Sequence, residues 1–211
     1  MFTGIIQEIG AVEDRREMES GCTFRVHAPG TCRNASPGDS LAVNGVCQTV
    51  EAVDGERFEF TAVGETLRRT TLGALNGSAR VNLETAATPA TALGGHLVQG
   101  HVDGVGEVES FVRAGMDRML TVRLPEEAAD LAVTRGSITI DGVSLTIVEA
   151  KAGNLVTIAV VPFTVDNTIV AGYESGTPVN VEADIIGKYV MKYLHTENRT
   201  HGRTDSRQEE M

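Results

Sequence analysis

The chain has 211 residues, 41% of them hydrophobic but only 4% aromatic and none tryptophan, so it can close small cores and must build them largely from Val, Ile, Leu and Ala. A formal net charge of −11 excludes a surface that wraps nucleic acid, which needs clustered Lys and Arg. No apolar run approaches the roughly 20 residues that span a bilayer, which excludes a membrane helix. The start, Met1-Phe2-Thr3-Gly4, carries neither a basic region nor a cleavage site, and Cys22, Cys32 and Cys47 form an odd set without C-x-x-C spacing. The expectation is a cytoplasmic protein with reduced thiols and neither a nucleic-acid nor a membrane partner.

Taken in chain order, the first half alternates apolar and polar residues in short stretches, among them Cys22-Thr23-Phe24-Arg25-Val26-His27 and Arg57-Phe58-Glu59-Phe60-Thr61-Ala62. Pro-Gly, Asn-Gly and Asp-Gly pairs punctuate them, the pattern of an antiparallel barrel or sandwich. Glu65 to Leu72 breaks the two-residue period and predicts a short helix across a barrel end, with a Thr near its start as N-cap. A small-residue link, Ala86-Ala87-Thr88-Pro89-Ala90-Thr91-Ala92, then marks a domain boundary. Beyond it the unit recurs. Gly10-Ala11-Val12-Glu13 matches Gly106-Glu107-Val108-Glu109, Val43 to Val50 matches Ile140 to Ile147, and Val81-Asn82-Leu83-Glu84 matches Val179-Asn180-Val181-Glu182. Thr66 and Thr70 fall on Thr164 and Thr168, so Phe163 to Val170 predicts the second crossing helix. A period near a hundred residues suits two tandem domains rather than a solenoid.

After Asp184 the spacing turns helical, with Ile186, Tyr189, Val190, Tyr193 and Leu194 on one stripe. One helix of about three turns is marginal alone, so the stripe packs either on its own barrel or on the same helix of neighbouring chains, and the expectation is the neighbours. The predicted domains are thus barrels at 1–95 and 96–185, a helix for oligomerisation at 186–197 and a disordered tail at 198–211. The fold class is all-β: two homologous antiparallel Greek-key barrels in tandem, each with a short crossing helix, followed by a C-terminal α-helix.

Two constellations could carry chemistry. In Gly94-Gly95-His96-Leu97-Val98-Gln99-Gly100-His101-Val102-Asp103-Gly104 the glycines allow a backbone to approach a ligand, and on a strand His101 and Asp103 share a face. His101 is then a substrate-facing acid, base or donor, or part of an iron triad with Asp103 and His195, or a structural histidine beside a turn. The second constellation is the pair Asn44 to Thr49 and Asp141 to Thr146. Asn-Gly and Asp-Gly there mean hairpin turns at the least, yet Cys47 and Ser144 occupy the same repeat position, each two residues before a Thr. No G-x-S-x-G elbow, P-loop or dinucleotide fingerprint is present.

Together these residues resemble the riboflavin synthase family of duplicated-barrel, trimeric type. The likeness rests on Met1-Phe2-Thr3-Gly4-Ile5-Ile6, Asn44-Gly45-Val46-Cys47, Glu65-Thr66-Leu67, Gly94-Gly95-His96, Gly100 to Gly104, Ile140 to Thr146 and Val179 to Glu182, in the family's order over about residues 1 to 190. The resemblance implies a transferase of riboflavin biosynthesis, in which two 6,7-dimethyl-8-ribityllumazine molecules exchange a four-carbon unit, giving riboflavin and 5-amino-6-ribitylaminouracil. It implies no cofactor and no metal, a homotrimer whose sites lie between barrels of adjacent subunits, and association with lumazine synthase. The alternative is a non-catalytic lumazine or flavin carrier of the antenna type, with one competent pocket.

Carried onto matching positions, the resemblance implies an N-terminal pocket of Gly4, Ile5, Ile6, Cys47, Gln48, Thr49, Thr61, Ala62, Val63, Gly64, Glu65 and Thr66. Its C-terminal counterpart takes Gly100, His101, Val102, Arg135, Ser144, Leu145, Thr146, Ala159, Val160, Val161, Pro162, Phe163 and Thr164. Roles in substrate activation or water positioning fall to His101, Ser144, Thr146, Cys47, Ser40 and Asp184. Five places depart from the family pattern: Gln48 replaces Leu, Thr85 replaces Arg, Phe163 replaces His or Tyr, Asp166-Asn167-Thr168-Ile169 is looser than the usual continuation into Thr-Thr-Leu, and Arg135 stands where Lys also occurs.

Overall fold

The structure, a computed structural model, describes residues 1–201, with side chains through Thr196. Its first sheet comprises β1 (Glu8–Met18), β2 (Gly21–His27), β3 (Ser40–Val43), β4 (Val46–Thr49), β5 (Ala52–Asp54), β6 (Arg57–Val63) and β7 (Arg80–Thr85), with short helices α1 (Pro29–Cys32) and α2 (Gly64–Arg69) between strands. The second half repeats the plan with β8 (Gly104–Ala114), β9 (Asp117–Arg123), α3 (Glu126–Ala129), β10 (Ser137–Ile140), β11 (Val143–Lys151), β12 (Leu155–Val160), α4 (Pro162–Asn167) and β13 (Pro178–Ala183), and α5 (Ile185–His201) follows. The second sheet closes as a six-stranded barrel in the order β10-β11-β12-β9-β8-β13. The first runs β4-β3-β7-β1-β2-β6-β5, the same circuit interrupted at Val50–Glu51, where one long strand of the second copy becomes β4 and β5. The duplicated antiparallel barrel read from the repeats is therefore the fold.

Alternation decides what each strand buries. In β2 and β6, Cys22, Phe24, Val26, Phe58, Phe60 and Ala62 point inward, and Phe60 stacks on Phe24 and Phe58 with centroids 5.1 and 6.0 Å apart. Three phenylalanines thus gather in the first core, which the composition had led one to expect largely of Val, Ile, Leu and Ala. The second core is aliphatic around Leu120, Ile138, Ile140, Ile147 and Ile158, with Tyr173 at its edge. All three cysteines are free thiols, Cys22 and Cys32 buried and Cys47 partly exposed.

The crossing helices form where expected, but their caps differ. Val63 and Val161 precede α2 and α4 without a side-chain cap, whereas Thr70 and Thr168 accept the backbone N–H of Leu72 and Val170 at 3.3 Å and cap the 3-10 turns that follow. α5 runs past the expected helix end at residue 197; what remains of the expected tail, 202–211, lies outside the described residues. Its stripe stays uncovered, with Ile186 62%, Tyr189 68% and Val190 52% exposed.

The barrels meet through their repeated hairpin turns. Asn44-Gly45 and Asp141-Gly142 all take positive φ, the type I′ geometry their sequences announce, and the turns lie back to back. Asn82 Nδ2 donates to Asp141 O at 2.9 Å and Asn180 Nδ2 to Asn44 O at 2.8 Å, while their Oδ1 atoms accept from Ile169 N and Thr71 N across the boundary. Buried amides are satisfied only by the other barrel, which fixes the docking angle.

One member of this interface breaks the symmetry. Fully buried Asp141 accepts from Tyr173 Oη at 2.7 Å and Asn180 N at 2.8 Å, and burial pushes its carboxyl up to about 7, against the pull of those two bonds. The first copy has neutral Asn44 in that place, accepting from Asn82 N at 2.7 Å, and Leu75 where Tyr173 stands. A carboxyl raised in the folded state favours folding most in acid, and the contribution is lost as pH rises from its ordinary value through about 7. Asp141→Asn is therefore expected to gain Tm relative to the unmodified protein as pH goes from 5 to 8. A constant difference across that range contradicts the assignment.

Candidate functional site

On each barrel two adjacent strands part company at one end. Pairing of β11 with β12 begins at Ile147↔Ile158, so Ser144–Thr146 and Ala159–Val160 diverge with Ser144 and Thr146 on the outer face. In the first barrel β5 pairs β6 from Ala52↔Glu59, leaving Cys47–Thr49 and Thr61–Val63 similarly splayed. A splayed pair leaves main-chain donors and acceptors facing a gap, a suitable edge for a planar ligand that carries both. α2 and α4 begin at the far side of each gap. Gln48 and Leu145 turn inward and are buried, so they offer the gap backbone only; the Gln48 amide donates to Cys47 O at 2.8 Å.

The fourth side of each gap comes from the other half of the chain, a different grouping from the one drawn from the sequence. Ser144 N donates to Gly4 O at 2.8 Å and Ile6 packs on the second core, so Gly4–Ile6 border the C-terminal gap. Cys47 N donates to Gly100 O at 2.9 Å and Val102 packs on the first core, so Gly100–Val102 border the N-terminal gap. Gly4 and Gly100 have φ of +76° and +78°, and a Cβ on either would lie 2.5 Å from Ser144 Cβ or 2.7 Å from Cys47 Cβ. Only glycine allows this approach.

His101 and Asp103 precede β8 rather than lying on it. The His101 ring is exposed. Asp103 is committed elsewhere: Oδ2 accepts Ala183 N at 2.8 Å and Oδ1 pairs with Lys188 Nζ at 2.6 Å. Among the described residues no three His, Cys, Asp or Glu side chains gather as a metal-holding group, the set His101, Asp103 and His195 included. Asp184 caps α5 through Ile186 N at 2.9 Å. Ser40 pairs with Thr49 and lines a cleft of about 370 Å3 with Asn34, Val50 and Thr85. Thr85 donates to Gln7 Oε1 at 2.9 Å. Thr61 shares its hydroxyl with Thr23 and Glu51 on the outer face.

One feature escaped the sequence reading. His96 Nδ1 lies 2.7 Å from Ser144 Oγ and its Nε2 3.2 Å from Thr139 Oγ1. Burial lowers the imidazole pKa, opposed by the charge of Asp184, so a neutral ring links two hydroxyls and fixes where the Ser144 proton points. Without a carboxylate behind it, this is a device for orientation rather than a nucleophilic triad. The only signal was the position of His96 in the glycine-rich run. Arg135, named from the sequence, is exposed and holds φ +68° where the first copy has Gly38 at +96°.

The described residues include no helix long and apolar enough to cross a membrane. A family model described as the lumazine binding domain matches the chain twice, at residues 3–86 and 99–184. Riboflavin synthase of Mycobacterium tuberculosis is 38% identical over 200 residues, covering 93% of this chain and 99% of its own. That of Bacillus subtilis is 36% identical over 202 residues, covering 95% and 94%. Crystal structures of LumP with 6,7-dimethyl-8-(1'-D-ribityl) lumazine and with riboflavin superpose with TM-scores of 0.78 and 0.79 at 23% and 24% identity, over 87% of this chain and 99% of theirs. That likeness speaks for the fold.

Proposed function

The chain belongs to the riboflavin synthase family of lumazine-binding proteins, and on that footing we propose that it catalyses the dismutation of two 6,7-dimethyl-8-ribityllumazine molecules to riboflavin and 5-amino-6-ribitylaminouracil. One observation carries the reading: both gaps are intact, each closed by the same backbone bond, Ser144 N to Gly4 O at 2.8 Å and Cys47 N to Gly100 O at 2.9 Å. A carrier needs one cradle, whereas a reaction between two copies of one substrate needs two.

The chemistry asks little of any single side chain. Two substrates and two products balance without an external oxidant or reductant, because one ring gives four carbons to the other. The 7-methyl carbanion is delocalised into the pteridine, so a modest base or a polarising donor assists its formation. Much of the remaining barrier lies in bringing two planar rings together in one orientation, which two rigid cradles supply. In this reading the splayed strand edges hold the pyrimidine-dione, and Thr66 and Thr164 meet the ribityl chains. His101 and Cys47 serve the N-terminal cradle with Ser40 beside it; Ser144, Thr146, Arg135 and Asp184 serve the C-terminal one. The α5 stripe bundles three chains so that the N-terminal cradle of one faces the C-terminal cradle of the next. A cytoplasmic location and contact with lumazine synthase belong to the same proposal.

The test is stoichiometric. Incubated with the lumazine, the protein should consume two substrate molecules for each riboflavin formed and release one pyrimidine. Tight binding without turnover would leave the carrier standing.

A further inference from the structure

Each barrel also buries a carboxylate that this chemistry does not use. Glu84 on β7 and Glu182 on β13 hold the same repeat position and are each 2% exposed. Glu84 Oε1 accepts Thr3 N and Thr3 Oγ1, both at 2.7 Å, and its Oε2 accepts Gly4 N at 2.9 Å. Glu182 Oε1 accepts Gln99 N at 2.7 Å and Oε2 accepts His101 N at 2.8 Å. The peptides they grip are the ones that reach the opposite barrel, Gly4 O to Ser144 N and Gly100 O to Cys47 N.

We propose that Glu84 and Glu182 are positioning residues, each setting the rim of the half-site on the other barrel: Glu84 that of Ser144, Glu182 that of Cys47. An ionised carboxylate is acceptor-only and suits two converging N–H groups, and such charge-assisted bonds are roughly twice as strong as neutral ones. Burial raises the pKa of both groups, and the hydrogen bonds to each oppose that shift. A glutamine of the same shape offers one acceptor and turns its NH2 group against the second N–H. One end of the gripped segment then comes loose. The two cradles of one chain, which face different neighbours, are thereby coupled through a crossing that no local sequence pattern encodes.

The inference rests on the half-site assignment above, but its test needs no substrate, so the two can fail separately. Cys47 is the partly exposed thiol, Cys22 and Cys32 being buried, and Gly100 lies against its Cβ. In the full-length protein, Glu182→Gln should speed alkylation of Cys47 by iodoacetamide about tenfold, while Glu84→Gln leaves it within about twofold, since only the former frees a charge-assisted contact over that thiol. Both should lower turnover. Equal acceleration in the two variants would indicate general loosening and overturn the proposal, as would no acceleration in Glu182→Gln. Should that variant fail to fold, amide exchange in the unmodified protein decides: Gln99 and His101 N–H should be protected like strand amides, and rapid exchange of both overturns it.

Discussion

Replacing Ile186 and Val190 of α5 with glutamate is expected to give a folded monomer whose turnover falls by about 100-fold or more, since holding two reactants together is worth up to ~7–11 kcal/mol. Both residues lie on the exposed stripe, 62% and 52% accessible, while α5 is tied to its own barrel from another face, through Lys188 to Asp103 at 2.6 Å and through the Asp184 cap. The substitutions therefore strike the surface offered to neighbouring chains and spare the helix. A contiguous apolar strip left in water is costly, and charge within it prevents its burial. Lumazine binding by the N-terminal cradle should stay within a few-fold. Mass measurement in solution and single-turnover assays on one sample check both statements. A monomer with unchanged turnover would overturn the shared-site placement.

Gly142→Ala should be severely destabilising. At φ +82° an added Cβ would lie 2.8 Å from Gly45 N and 3.0 Å from Gly45 Cα, backbone atoms of the other barrel's turn that cannot rotate away. Gly153 sits at φ +76° with nothing within 4 Å, so Gly153→Ala carries the conformational cost alone, about 1 kcal/mol. The excess at Gly142 measures barrel docking, and a total loss of about 3 kcal/mol or more is expected for a clash with fixed backbone. Denaturant unfolding of the two variants gives the difference. Equal losses would mean that the turns do not hold the barrels together.

How much of this was legible in the sequence depended on distance along the chain. The hairpin turns announced themselves because Asn-Gly and Asp-Gly take positive φ wherever they sit, and α2 and α4 because both copies abandon the two-residue period at the same place. The duplication was plain from Val-Asn-Leu-Glu and Val-Asn-Val-Glu alone. What could not be read was the exchange of rims. Gly4 and Gly100 look equivalent in any alignment of the halves, yet each pairs with the strand of the opposite barrel, a choice made by docking rather than by local pattern. The same blindness hid His96, whose partners Thr139 and Ser144 lie 43 and 48 residues away. It also misplaced the caps: Thr66 looked like an N-cap by position, but the chain enters α2 from Val63 and the capping hydroxyl belongs to Thr70. Glu84 and Glu182 did leave a trace, a glutamate identical in both copies two residues after a shared Asn.

The most direct test of paired cradles acting across subunits uses two inactive proteins. Gly4→Val would press on Ser144 and close the C-terminal cradle, while Gly100→Val would press on Cys47 and close the N-terminal one. Each alone should form almost no riboflavin. Unfolded and refolded together in equal amounts, they should recover about a quarter of the unmodified activity, the fraction of head-to-tail contacts in a mixed cyclic trimer that join two intact cradles. A mixture as inactive as its components would contradict the account.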